Sequence, residues 1–143
     1  MTDDDPFPAT ADASTRRTRI LSTIELLVLI GIGGFAGSNL RYVSEMVFSG
    51  LQATLVVNVL GSFVLGFILY EAIYAGVLAE QTQVVVGTGF LSSFTTYSTF
   101  AVQTVQTGSL NWMLLNVFAT YGLGFLGVLL GRELARAVDG GDT

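Results

Sequence analysis

The sequence predicts an all-α integral membrane protein, a four-helix subunit whose third helix is broken mid-membrane. Three observations predict it. The first is composition: 51% of the 143 residues are hydrophobic, 12% are charged, and the mean hydropathy is +0.65, values that suit a bilayer better than water. The second is the spacing of charge. Fifteen uncharged residues separate Glu25 from Arg41, 25 separate Glu45 from Glu71, and 51 separate Glu80 from Arg132. A span takes roughly 20 apolar residues, so the last run holds two helices and a turn. The third is periodicity: the alternating strands of about ten residues that a membrane β-barrel requires are not visible, whereas a helix closes its own backbone hydrogen bonds, as lipid demands.

Residues 1–19 hold both prolines, Asp3, Asp4, Asp5, Asp12 and many small polar residues, and read as a disordered acidic leader. Arg16, Arg17 and Arg19 precede an apolar stretch, the pattern of a signal peptide. That stretch continues through Gly31–Gly37 without a clear small-residue cleavage site, and further spans follow, so a retained first helix is the better reading. The membrane domain then covers residues 20–136, with helices near 23–46, 52–75, 82–106 and 110–132, and a short tail at 137–143. The turn in the long run falls at Thr107-Gly108-Ser109, with Asn111 and Trp112 at the interface. Gly33-x-x-x-Gly37 and Gly127-x-x-x-Gly131 put small residues on one helix face, where helices can approach closely.

Charge sets an expected orientation. An even number of spans puts both termini on one side, together with Arg16, Arg17, Arg19, Arg132 and Arg136, while the other side has at most Arg41. The positive-inside rule makes that first side cytoplasmic, in the cell membrane. The acidic, lysine-free exterior fits either a surface kept hydrated at high salt or simply a short acidic tail. It offers no basic patch for nucleic acid. Cysteine and histidine are absent, which excludes disulfides and thiolate metal sites and removes the commonest general base. With no nucleophile–base pair available, an enzyme is not expected.

Polar residues inside the spans carry the functional reading. Seven of the nine residues from Ser92 to Phe100 bear a hydroxyl. Ser and Thr can bond back to their own helix carbonyls at little cost. The alternative is an unwound segment, which is tolerated only where it faces protein or an aqueous cavity and whose free carbonyls suit a cation. In the second helix Thr54, Asn58 and Ser62 recur every four residues, and in the fourth Asn116, Thr120 and Gly124 repeat that spacing. Each stripe is either a packing seam or part of a permeation path. Glu25, Glu45, Glu71 and Glu80 fall at span ends, where they are expected to be solvated, so no carboxylate is left for a proton relay. The amide, hydroxyl and aromatic-edge groups that remain are neutral and can face an anion without trapping it.

These residues match a known pattern. Gly34-Phe-Ala-Gly37 followed by Arg41-Tyr42, then Thr54-Leu-Val-Val-Asn58-Val-Leu-Gly61-Ser62-Phe63 with Gly66, then Gly89-Phe-Leu-Ser92 through Phe100, resemble the Fluc (CrcB) fluoride channels over about residues 28–131. The resemblance implies a subunit that works as an antiparallel dimer, with two pores along the interface through which fluoride leaves the cell passively. It implies a structural Na+ held by the backbone carbonyls of Ser92 and Thr95. It places Asn58, Ser62, Tyr97, Phe100, Thr120 and Asn116 on the fluoride pathway, and gives Arg41 a structural or vestibular role. This chain departs from the pattern at Ser92-Ser93, where the family has a glycine pair, at Tyr97 for a phenylalanine, at Gln103 for a glutamate and at Asn116 for a tyrosine. Single-gene members insert both ways and carry little charge bias. Five arginines against one imply a fixed orientation here, and hence a paralogous partner inserted the other way. A small multidrug-resistance-type exporter would need a glutamate in the middle of the first helix, where this chain has glycine. A non-transporting assembly protein leaves the hydroxyl-rich third span unexplained.

Overall fold

The computed structural model describes residues 9–76 and 78–139. Its elements are α1 (Ala9–Val47), α2 (Leu51–Tyr70), α3 (Glu80–Val84), α4 (Ser92–Phe94), α5 (Tyr97–Gln106) and α6 (Leu110–Asp139), with π-helical stretches at Glu71–Ala75 and Val85–Leu91. No strand occurs among the described residues. Among the described residues three helices, at 15–47, 51–75 and 110–139, are long and apolar enough to cross a membrane. The stretch 80–106 is divided, so no single helix within it reaches that length.

Two boundaries differ from those expected. The segment read as a disordered leader is helical from Ala9. Composition marked it as too polar to fold alone, but a helix already nucleated by the apolar run below it propagates upward at little cost. At the other end α6 runs through Asp139, into the expected tail. Residues 1–8 and 140–143 of that leader and tail lie outside the described residues. The turn falls where predicted: Gly108 takes φ +65°, and the N–H groups of Thr107 and Gly108 return to Thr104 and Val105.

Glycine lets the backbones meet. A Cβ on Gly37 would collide with the carbonyl of Phe90, and one on Gly89 would lie 2.6 Å from Ile30 O. Thus α1 lies directly against the π-helical stretch and α4. Gly131 faces the Phe63 carbonyl and Gly66 faces Val128 in the same way, locking α2 onto α6, its most extensive partner. Few large side chains are buried, while Ile32, Phe35, Leu69, Phe118, Phe125 and Leu130 point outward. For a soluble protein such a surface would be an aggregation hazard; in lipid it is the solvated face.

Glu71 is the one span-end carboxylate that contradicts its expected solvation. It is 6% exposed. The helix continues past it, the chain folds back at Gly76 (φ +64°), and the carboxylate accepts the Leu78 N–H at 2.5 Å and Gln83 Nε2 at 3.4 Å.

Candidate functional site

The stretch 80–106 loses its helix at two threonines. Thr95 has φ −79°, ψ 161° and Thr96 has φ −150°, ψ 123°, both extended. Two diversions of backbone donors hold this interruption. In a continuous helix the Thr96 N–H would bond to Ser92 O; here it donates to Asn58 Oδ1 at 2.8 Å, while Asn58 Nδ2 donates to Thr96 O at 3.0 Å. The Asn58 carboxamide therefore clamps Thr96 from both sides, much as a neighbouring strand would. The Thr99 N–H would likewise bond to Thr95 O, but donates instead to Thr96 Oγ1 at 3.2 Å. Thr96 is thus the N-cap of α5. Thr95 is fixed from the other side: its methyl group occupies the space a Cβ on Gly61 would need.

Beside the interruption lies an open groove of about 570 Å³, walled by α2, α5, α6 and the end of the π-helical stretch. Asn58, Ser62, Tyr97, Phe100 and Thr120 all line it, as do Ser92 and Thr95. Five of the six expected pathway residues therefore meet in one place. Thr120 Oγ1 is buried and has no hydrogen-bond partner. Asn58 uses one of its two amide protons on Thr96 O and keeps the other. Phe100 is 6% exposed and Tyr97 is 72% exposed, with ring centroids 5.9 Å apart.

Asn116 is the exception. Its Nδ2 donates to Thr104 Oγ1 at 2.7 Å, a bond between α6 and α5, and it is not a groove wall. Residues four apart on a helix drift by about 40° per step, so the stripe that starts at Asn116 turns from α5 toward the groove by Thr120. Thr54 sits similarly off the groove, donating to Gln103 Oε1 at 2.7 Å. Arg41 lies 3.9 Å from Glu45, one turn along α1, away from the groove.

The hydroxyl run divides between the two readings offered by the sequence. Ser92 Oγ bonds back to the Thr88 carbonyl and Thr95 Oγ1 to Leu91 O at 2.9 Å, as helix-bound hydroxyls do. Thr96 does not, and sequence reasoning assigned it no role of its own. Its signal was weak: a threonine ahead of Tyr97-Ser98-Thr99-Phe100, without the Glu or Gln three residues on that marks a capping box. Tyr121 was also missed. It lines the groove and meets Phe100 edge-on, centroids 6.0 Å apart at 88°. It sits one residue off the polar stripe, so the four-residue spacing passes over it.

An all-helical membrane protein with three apolar helices long enough to span, and a groove of neutral polar groups beside the interruption at Thr95 and Thr96, is the class that fold and site define. Residues 28–132 match the profile of CrcB-like protein, Camphor Resistance (CrcB), and the chain belongs to that family. It is 56% identical over 124 residues to the fluoride-specific ion channel FluC 1 of Haloarcula marismortui, covering 87% of this chain and 96% of that protein. It is 46% identical over 113 residues to FluC 2 of Halobacterium salinarum, covering 78% and 88%. It is also 46% identical over 112 residues to FluC 1 of Natronomonas pharaonis, covering 77% and 93%.

Proposed function

We propose that the chain is a subunit of a fluoride channel that lets cytoplasmic fluoride leave the cell down its gradient and so relieves its toxicity. One observation carries this reading: uncharged hydrogen-bond donors converge on the groove with bonding capacity to spare, above all the buried, partnerless hydroxyl of Thr120. A buried donor left unsatisfied is costly, and a small anion is the ligand that would satisfy it. The second N–H of Asn58 and, as the family resemblance implies, the ring edges of Tyr97 and Phe100 would present partial positive charge to the same space. With no fixed charge among them, the ion is held loosely enough to leave again.

The groove is open on one side, and a second subunit, antiparallel to the first, would supply the missing wall. The arginine bias supports a fixed orientation with both termini cytoplasmic, and therefore a paralogous partner inserted the opposite way. A structural Na+ fits the residues present. The carbonyls of Ser92 and Thr95 are the two that lose their helix donors to Asn58 and Thr96, and a hard cation takes oxygen ligands of this kind. Bound there, the ion would tie the interrupted third spans of two subunits together. Asn58 and Thr96 keep those carbonyls free of intrahelical bonds.

Fluoride efflux from liposomes, with this chain alone and with a paralogous subunit from the same cell, tests the proposal. Efflux in the mixed vesicles with none in empty ones is expected. Silence in both preparations would end the channel reading, and a conducting homodimer of this chain alone would end the two-component one.

A further inference from the structure

The cations on the terminal side of the molecule are not equivalent. Arg132 and Arg136 share the carboxylate of Glu133, at 2.6 and 4.0 Å. Arg16, Arg17 and Arg19 have no ion-pair partner among the described residues. These three sit where α1 leaves the membrane. The helix has 39 residues, about 58 Å at 1.5 Å per residue, nearly twice the roughly 30 Å hydrocarbon thickness. Its apolar run begins at Ile20, which sets the three guanidinium groups at the level of lipid headgroups.

One face of this segment has a shape and polarity of its own. Thr15, Arg16, Arg19, Ile20, Thr23 and Ile24 line an open groove of about 480 Å³. Arg16 and Arg19 are one turn apart at its outer end. Ile20 and Ile24, each about half exposed at 52% and 51%, form its inner end, on the side of the hydrocarbon. The Thr23 hydroxyl is turned onto Arg19 O at 2.9 Å, and the guanidinium groups of Arg16 and Arg19 have no ion-pair partner among the described residues. Glu25, the nearest carboxylate below, lies about 9 Å from Arg19 along the axis and a third of a turn away; Asp12 stands four residues before Arg16, and neither arginine is ion-paired with a carboxylate among the described residues. Arg17 falls outside the groove.

We infer that this groove binds an anionic phospholipid of the cytoplasmic leaflet, with Arg16 and Arg19 holding the phosphate and Ile20 and Ile24 lying along the acyl chain. Two guanidinium groups offer forked donors to phosphate oxygens, and the isoleucines supply the contact that a free phosphate could not use. The site is separate from the ion groove, which lies at the interruption of the third span.

Native mass spectrometry of the full chain in neutral detergent tests this, with short-chain phosphatidylglycerol or phosphatidylcholine added. Phosphatidylglycerol should be retained more tightly, and the double variant Arg16→Gln/Arg19→Gln should weaken it by about 30-fold, as expected for two arginines at an anionic surface. Arg17→Gln should retain it at the level of the unsubstituted chain, and Arg16→Lys/Arg19→Lys should recover most of the binding. Inorganic phosphate at equal concentration should not compete. Equal retention of the two lipids, equal loss in Arg17→Gln, or displacement by phosphate would each overturn the assignment.

Discussion

Thr120 and Asn58 line the same groove from the packed helices α6 and α2, yet their substitutions should behave differently because their bonding differs. The Thr120 hydroxyl has no partner to lose. Thr120→Val should therefore leave the melting temperature unchanged or slightly raised, since a desolvated hydroxyl without a bond is replaced by a methyl of similar size. Fluoride flux should fall by about tenfold or more, the loss of one hydrogen bond to a charged ligand. A drop in stability with normal flux would make Thr120 a packing residue. Asn58 has both a structural and a functional share. Asn58→Asp keeps an acceptor for the Thr96 N–H but loses the donor to Thr96 O and brings a negative charge to the path. Efflux should be abolished in liposomes, while the protein loses about 1–3 kcal/mol of stability or more, since an ionised carboxylate then faces the Thr96 carbonyl. Unchanged flux would remove Asn58 from the pathway.

The interruption in 80–106 is built by donors taken away from it rather than by any residue unable to be helical. Thr95 and Thr96 have negative φ values and ordinary side chains, and both could continue a helix. What stops them is Asn58 on α2, the N-cap geometry of Thr96, and the Thr95 methyl lodged over Gly61. Thr96→Val removes the cap and should cost about 1 kcal/mol. It should also weaken any stabilisation by sodium, because Thr99 N–H becomes available to Thr95 O. The measurement is the melting temperature in sodium against a large organic cation: a sodium-dependent rise is expected in the unsubstituted chain, diminished in Thr96→Val. No rise in the unsubstituted chain would remove the cation from the proposal. The glycine contacts belong to the same scale. Gly37→Ala puts a methyl into the Phe90 carbonyl, and such overpacking costs about 1–3 kcal/mol, read as a lower melting temperature.

Taken whole, the described residues form two tight packings, α1 with the stretch Val85–Phe94 and α2 with α6, around a groove that opens outward. Its charges lie at its ends, and its sides are apolar. Orientation is the property of the whole that can be checked most directly, because the chain has no cysteine of its own. With both termini cytoplasmic, Ser49→Cys between α1 and α2 should react with a membrane-impermeant maleimide in intact cells, and Gln81→Cys at the start of α3 should not. Equal labelling at both sites would mean dual insertion and would undo the argument for an oppositely inserted paralogue.

Helical class, membrane residence and family membership were legible from the residues alone, because they rest on one-dimensional quantities: lengths of uncharged runs, four-residue spacings, and a motif order such as Asn58 before Ser92–Phe100. The set of expected groove residues was legible through the motif resemblance; helical spacing by itself grouped only those that share one helix, such as Asn58 with Ser62. Which groups are free to act was not. Asn116 and Thr120 look alike in the stripe, but one is bonded across to Thr104 and the other has no partner. Glu71 looked solvated until the chain turned back over it at Gly76. The double hold of Asn58 on Thr96 joins residues 38 positions apart. Hydrogen-bond satisfaction is a matter of which neighbours arrive in space, and spacing along one helix carries no information about the helix beside it.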